Sequence, residues 1–589
     1  MTKGEANLET AALTQNTDFL KKSFNKAVFP SMITILSANI NVFVDGILVG
    51  SKIGTNALAA INVSLPVFLF MCVIGSFVTS GTAINASQEM GRNRKESALL
   101  YYRTCVISLF IISIIFTALG LLFRYPLVEF LCADKSMQPY VMEYIVITII
   151  GAFPKIMIYI PLWYLRLDGK NVSVMVMMSV LSIGNVILDF IMVYMLNMGV
   201  FGAGLASVVA TTLAFAIGVI CLLQKNSTFT FSPEIIRDKS SWKRITNDGI
   251  PSAFNNLAST IRILMINSYL FAIGGGILVA VFSAVNGIYG FGEAIVLGVP
   301  QAASPMLGMH AGEKDNKSNR LLLEIEIKQG LIYSAIFTAL IITLNVPIQR
   351  MYNIEISLLV PLAFMCISVF FALIGSVLQG YYNVAGRHVL ANIMILLRLI
   401  VMPFAGLVFV KATGLSPFLF LVIGEAGAIL VWYIIAELMH NKNPELSRFL
   451  FMDDSLEEKG AVINFSVEDE PDKICEASER ISEFCADNGL SMKNTMALQL
   501  AIEELLTIIS TINKDNNTKE ELSYDLRAYC LGDVRGIRIR YNGMIFNPFS
   551  DDDQNEDMMM GVQMIKKLVE TYEYMKTVGF NTLLILLKE

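Results

Sequence analysis

The sequence predicts an all-α polytopic membrane protein, 12 transmembrane helices in two six-helix halves, followed by a C-terminal cytoplasmic α+β domain. Three observations carry this reading. The 589 residues are 54% hydrophobic and only 16% charged, which argues against an ordinary soluble globule. Before residue 440 there are 12 stretches that approach the about 20 mainly apolar residues a bilayer-spanning helix needs. Charge is also unevenly divided. Residues 453 to 589 hold 27 of the 50 acids and 14 of the 44 bases, net -13, which leaves net +7 for residues 1 to 452. Two different physical objects are joined in one chain.

Taken in order, residues 1–27 are a polar segment without the apolar core and cleavage site of a signal peptide, so the first span is expected to stay in the mature protein. Residues 28–224 hold six spans, at roughly 28–50, 58–86, 104–123, 141–163, 173–196 and 202–224. A polar loop, 225–249, precedes six more within 250–440: 250–273, 278–308, 326–346, 357–382, 389–410 and 417–438. Residues 441–458 read as a linker and 459–589 as the tail domain. Lys and Arg resist translocation. The loops after even-numbered spans carry most of them, among them Arg92, Arg94, Arg166, Lys170, Lys243, Arg244, Lys314 and Arg387. Both termini are therefore expected in the cytoplasm of a cell-membrane protein.

A repeat relates the halves. "YLRLDGKNVSVM" before the fifth span is answered by "YYNVAGRHVLANI" before the eleventh, and "QEMGRNRKES" after the second by "MHAGEKDNKS" after the eighth. Gly169 to Gly386 is 217 positions and Gly91 to Gly312 is 221. Six spans per half is an even number, so the two copies are parallel repeats about an axis along the membrane normal.

A charged side chain at the bilayer centre costs at least about 2.5–3.5 kcal/mol, so each needs a reason. Asp45 falls in the first span and Asp189 in the fifth, with Asn185 four residues earlier on the same helix face. The repeat offset sets Met402 and Gly406 opposite Asn185 and Asp189, and Met265 opposite Asp45. The asymmetry favours a function housed in the first half over mere helix packing. A carboxylate buried among apolar helices can gain and lose a proton, and beside an amide it also offers hard oxygen ligands to a small cation. Sodium and proton are both open. Arg262, Glu293 and Arg398 are candidates for lining a substrate cavity, and with Lys328 and Glu425, the further intramembrane charges, they could pair across the second half. Eight scattered cysteines and three histidines suggest no zinc site or disulfide framework. No cofactor and no nucleic-acid partner are expected.

"FVDGILVGSKIGTNALAAINVSLP", "YLRLDGK", "GNVILDF" and "GVFGAGLASVVATT" together resemble the multidrug and toxic compound extrusion (MATE) transporters, over residues 25 to 440. The resemblance implies two six-helix lobes, alternating access, and export of organic cations or amphiphiles in exchange for sodium or protons. It assigns Asp45, Asn185 and Asp189 to a cation site in the first lobe. The acidic residue that many members carry in span seven is missing from "PSAFNNLASTIRILMINSYL".

In the tail, "ELSYDLRAYCL", "GIRIRYNG" and "NTLLILLK" read as strands, "NTMALQLAIEELLTIISTIN" and "GVQMIKKLVETYEYM" as helices. The tail resembles the histidine-kinase-like ATPase fold of anti-sigma-factor kinases. Glu504 stands at that fold's Glu position. Ile508 replaces its metal-binding Asn, Tyr541 its adenine-reading Asp before Gly543, and Met559 the first glycine of a box that keeps Gly561. The resemblance implies a module that kept the fold and lost most of the ATP chemistry, leaving a regulatory tail for a cytoplasmic protein partner and no enzyme. Two alternatives stay open: a membrane sensor with a partner-binding tail, and a flippase of lipid-linked substrates.

Overall fold

The computed structural model describes residues 17–53, 55–132, 134–352, 356–455, 461–516, 521–531, 534–550 and 556–587. Contacts divide the chain into two compact units. One holds Asn25–Pro444 with Arg448–Leu450, the other Phe451–Glu589 with Glu445–Ser447 and the chain up to Phe24.

The helical unit is built from α1 (Thr17–Ile53), α2 (Thr55–Gly91), α3 (Lys95–Leu122), α4 (Gln138–Ile150) and α5 (Ala152–Leu167), the last two meeting at a 57° bend. α6 (Asn171–Asp189), α7 (Gly199–Leu222), α8 (Lys239–Glu313), α9 (Asn316–Thr343), α10 (Leu359–Val384), α11 (His388–Thr413) and α12 (Pro417–Lys442) follow. Among the described residues, 10 helices are long and apolar enough to cross a membrane, or 11 with the bent pair counted as one. That number differs from the expected 12 through three features, two that lower it and one that raises it. α8 runs through two expected spans as 75 residues, broken only at Gly274 and Gly275, where Gly275 has φ 63°. α1, which holds the first expected span, is not among those that qualify, while Met492–Asp515 of the other unit is.

Local chemistry places the helix ends. Asp238 Oδ2 accepts the Ser241 N–H at 2.8 Å to cap α8, and Asp315 Oδ1 accepts the Ser318 N–H at 3.1 Å to cap α9. The repeat seen in the sequence recurs as backbone geometry. Gly169 and Gly386 have φ 75° and 73°. Their N–H groups donate to Arg166 O and Asn383 O at 3.0 and 3.2 Å. Asn93 and Lys314, 221 apart, have φ 58° and 56° in matching turns. α2 packs on α8 backbone against backbone. A Cβ on Gly91 would stand 2.0 Å from Met309 O, one on Gly312 2.1 Å from Gln88 O, and one on Gly81 2.1 Å from Ile245 O.

The C-terminal unit is an antiparallel five-stranded sheet in the order β1-β2-β3-β5-β4. The strands are β1 (Val462–Glu468), β2 (Ser523–Leu531), β3 (Val534–Tyr541), β4 (Val569–Thr577) and β5 (Phe580–Leu587). The helices α13 (Pro471–Asp487), α14 (Met492–Asp515) and α15 (Glu556–Leu568) belong to the same unit. A core of Phe465, Ile481, Leu505, Leu526, Ile539 and Ile585 joins helices to sheet. On the other sheet face Asp525, opposite Arg540 in the β2–β3 register, accepts from Arg538 Nη2 at 2.5 Å. The N-terminal end of α1 belongs with this unit. Phe19 meets Phe580 at 5.2 Å between centroids, and Lys22 Nζ lies 2.7 Å from Glu521, whose carboxyl it holds below the usual range.

Two sequence expectations need correction here. "GVQMIKKLVETYEYM" is a helix only to Leu568, since Val569–Thr577 is β4. β1 and α13 had not been expected at all. β4 escapes a sequence reading because the β4–β5 turn lacks the usual Asn-Gly signal. Its two central residues are Val578 and Gly579, at φ 51° and 84°, a primed turn. A β-branched residue in the left-handed region costs about 1–2 kcal/mol. Val578→Asn is therefore expected to stabilise this unit by about 1 kcal/mol, read as a higher urea midpoint by circular dichroism at β wavelengths; an unchanged or lower midpoint counts against that turn.

Candidate functional site

α6 starts after the Gly169 turn and carries the sequence-predicted amide and carboxylate. One helical turn apart, Asn185 Nδ2 donates to Asp189 Oδ2 at 2.7 Å, with the residues 2% and 1% exposed. Asp189 is the last α-helical residue before a π-helical stretch, Phe190–Met195, the kind of irregularity that often marks function. α6 is tied to α1 by Ser182, whose Oγ donates to Ser37 O at 2.7 Å, and by Ser37 and Ser179, 3.5 Å apart. Asp45 lies eight residues beyond Ser37 in α1, but its side chain falls outside the described residues.

Of the three candidates for lining a cavity, Arg398 and Arg262 meet at one carboxylate and Glu293 has another hydrogen-bond partner. Arg398 Nε donates to Glu425 Oε2 at 2.8 Å, and its other nitrogens reach Ser376 Oγ at 3.0 Å, Gln379 Oε1 at 3.2 Å and Ala372 O at 3.0 Å. Arg262 approaches the same Glu425 at 3.7 Å, so two arginines share one carboxylate beside a void of about 10 Å³. Glu293 accepts instead from Asn39 Nδ2 at 3.3 Å, within electrostatic reach of Arg262.

A cavity of about 450 Å³ opens in this unit. Its walls come from α1 (Thr34), α2 (Ser76), α5 (Trp163, Arg166), α8 (Asn255, Gln301) and α10 (Gln379, Asn383), thus from both halves of the repeat. Glu293, Arg262 and Arg398 do not line it. Behind the wall, Gln379 is held by Arg398 on one side and donates to Asn255 Oδ1 at 3.2 Å on the other. Sequence reading placed Arg166 among loop bases and did not foresee its position on this wall. The signal was present in its offset of 217 from Asn383. Glu326, likewise not singled out, is fully buried with no hydrogen-bond partner among the described residues.

In the C-terminal unit, Glu504 packs over Gly561, where a Cβ would lie 2.2 Å from Glu504 Oε2. Ile508 and Tyr541 belong to the hydrophobic core, and the Tyr541 hydroxyl donates to Phe546 O at 2.6 Å. Burial pushes the Tyr541 hydroxyl's pKa well up. Gly543, at φ 103°, sits against Asn513, whose Oδ1 accepts the Met544 N–H at 2.9 Å.

Residues 30–191 match the MatE family model. Among curated proteins the chain is similar to an FAD transporter of Shewanella oneidensis, 24% identical over 48% of this chain and 65% of that protein. It is also similar to the multidrug export protein MepA of Staphylococcus haemolyticus, 21% identical over 53% of this chain and 68% of the other. The chain thus spans about two thirds of the length of these relatives. Among solved structures, a MATE crystal structure in complex with MaD3S shares the fold at a TM-score of 0.67, with 22% identity over 73% of this chain and 99% of that one. An outward-facing multidrug resistance MATE transporter of the MOP superfamily gives 0.66, with 22% identity over 71% and 96%. Family model, relatives and fold agree on a MATE-like, multi-pass helical architecture for this unit, and the relatives and structural neighbours are themselves transporters rather than enzymes.

Proposed function

We propose that the protein is a sodium- or proton-coupled antiporter that exports drugs, organic cations or other amphiphilic small molecules across the cell membrane, through 12 spans in two lobes with both termini cytoplasmic. The observation that carries this is the cavity walled by both halves of the repeat. An opening shared by two repeats becomes alternately accessible when one half rocks against the other. The coupling cation is assigned to Asp189, Asn185 and Asp45. Asp189 is seven residues past Ser182 and Asp45 eight past Ser37, so both stand about two turns beyond the α1–α6 contact. An ion drives the cycle only through its different affinity for the two states, and neutralisation of a buried carboxylate provides such a difference. The relatives support export of small organic molecules: one is a multidrug export protein and another an FAD transporter.

The decisive experiment is accumulation of rhodamine 123 and of fluorescein in inverted membrane vesicles, with sodium and proton gradients imposed separately. Gradient-driven accumulation of either dye is expected; none under either gradient would refute the antiporter. An apolar groove of about 340 Å³ lined by Phe29, Met32, Phe291 and Phe337 gives the flippase alternative its support. Transfer of a fluorescent lipid between leaflets without a gradient would favour that reading.

For the C-terminal unit the proposed role is regulatory, binding a cytoplasmic partner on a degenerate histidine-kinase-like ATPase scaffold. Ile508 and Tyr541 are spent on the core, where neither offers a metal ligand or an adenine-reading carboxylate. ATP with magnesium is expected to leave the thermal unfolding of the full chain unchanged. A rise in midpoint that requires magnesium would show that the nucleotide chemistry survives.

A further inference from the structure

The cavity wall has an unusual charge. Among the described residues lining it, Arg166 is the one charged side chain, and there is no carboxylate. Arg166 is 4% exposed, and its Nη2 has no hydrogen-bond partner among the described residues. The nearest acid along the chain does not serve it. Asp168 Oδ1 accepts from the Thr228 N–H and hydroxyl, and its Oδ2 lies 3.0 Å from Lys170 Nζ. A guanidinium withdrawn from water with an N–H left over is costly unless something completes it.

The repeat strengthens the case. Arg166 and Asn383 each stand three residues before a glycine of positive φ and accept that glycine's N–H in the same turn. Asn383 also lines the cavity, and its Oδ1 is buried without a partner among the described residues. Two equivalent positions, one per half, thus present an incomplete donor and an incomplete acceptor to a single space. Among the other wall amides, Asn256 donates to Ser76 Oγ at 3.0 Å, and Gln379 bridges Asn255 and Arg398. Tyr159 and Trp163 supply ring surface next to Arg166.

We propose that this cavity takes amphiphiles carrying an anionic oxygen group, a carboxylate or phosphate held by Arg166, with their apolar ring body against Trp163 and Tyr159. Guanidinium is suited to such groups because its fork matches two oxygens at once. An organic cation would meet a like charge in a space with no wall carboxylate to offset it. The proposal rests on the export reading only in taking the cavity as the substrate site, and it narrows the substrate class of that reading.

Fluorescein and rhodamine 123 share a xanthene ring system and differ in charge, so they serve as probes. Binding is measured by fluorescence anisotropy on the purified full-length protein in detergent. The wild type is expected to prefer fluorescein by about tenfold or more. Arg166→Gln should remove that preference with rhodamine 123 binding unchanged or tighter, and Arg166→Lys should restore part of it, which reports on charge and not on folding. Asn383→Asp, which leaves Arg166 in place but adds a carboxylate to the wall, should reduce the preference as well. Equal or absent binding of the two dyes by the wild type, a preference for rhodamine 123, or an Arg166→Gln protein with wild-type fluorescein affinity would overturn the proposal. Failure of both dyes to accumulate in vesicles, with the binding preference intact, would instead refute export and leave this site standing.

Discussion

Asp189→Asn is expected to reduce gradient-driven dye accumulation in inverted vesicles at least about tenfold, to the level of vesicles lacking the protein, while the amount of protein in the membrane stays the same. The substitution keeps size and shape, and an amide at 189 can still pair with Asn185, 2.7 Å away in the wild type. What is lost is the ability to change charge. Without that, an ion has no differential free energy to spend on the two states, and about 1.4 kcal/mol of missing coupling is already a factor of ten. Asn185→Ala should give a smaller loss, because the carboxylate remains and only an orienting donor is removed. Gradient-driven accumulation at the wild-type rate in the Asp189→Asn protein would show that the pair is a packing element.

Gly91→Val and Gly312→Val are expected to act on the cycle from a distance. In each, the new side chain would meet a backbone carbonyl, Met309 O or Gln88 O, at 2.0 or 2.1 Å, well inside the 3.0 Å that real Cβ contacts keep. α2 and α8 must then move apart at the ends that the Lys and Arg pattern assigns to the cytoplasm. Overpacking costs about 1–3 kcal/mol, enough to shift a two-state population about 5–150-fold. Hydrogen exchange of the backbone around 85–92 and 307–314 should quicken, and export should slow, with alanine intermediate at both sites. Since both glycines are remote from Asp189 in sequence and do not line the cavity, dye affinity measured in detergent should change little in the conformer that remains open. Unchanged exchange in both valine variants would mean that the contact is not part of the moving interface.

The parts of the site that were legible in the sequence are those fixed by helix geometry. Four residues along a helix bring Asn185 onto Asp189 whatever the neighbours do. The two glycine-bearing loops had to form alike because glycine supplies a positive φ at both Gly169 and Gly386. Arg262, Arg398 and Glu425 were visible as intramembrane charges able to pair across the second half, but which of them meet was not, since Arg398 and Glu425 come from different helices 27 residues apart. β4 was lost for a local reason: the primed turn at Val578 and Gly579 lacks the residue pair that announces one.

By itself, then, the amino-acid sequence determined the apolar spans, the separate acidic unit, the internal repeat and the i,i+4 carboxylate–amide pair, because each depends on hydropathy or on backbone periodicity over a few residues. Only the tertiary structure decided which polar groups share a space. Arg166 looks like one more loop base until α5 and α10 bring it and Asn383 to one cavity wall. The reason is that electrostatic and hydrogen-bonding chemistry is set by distances of a few ångströms between residues that the chain holds more than two hundred positions apart.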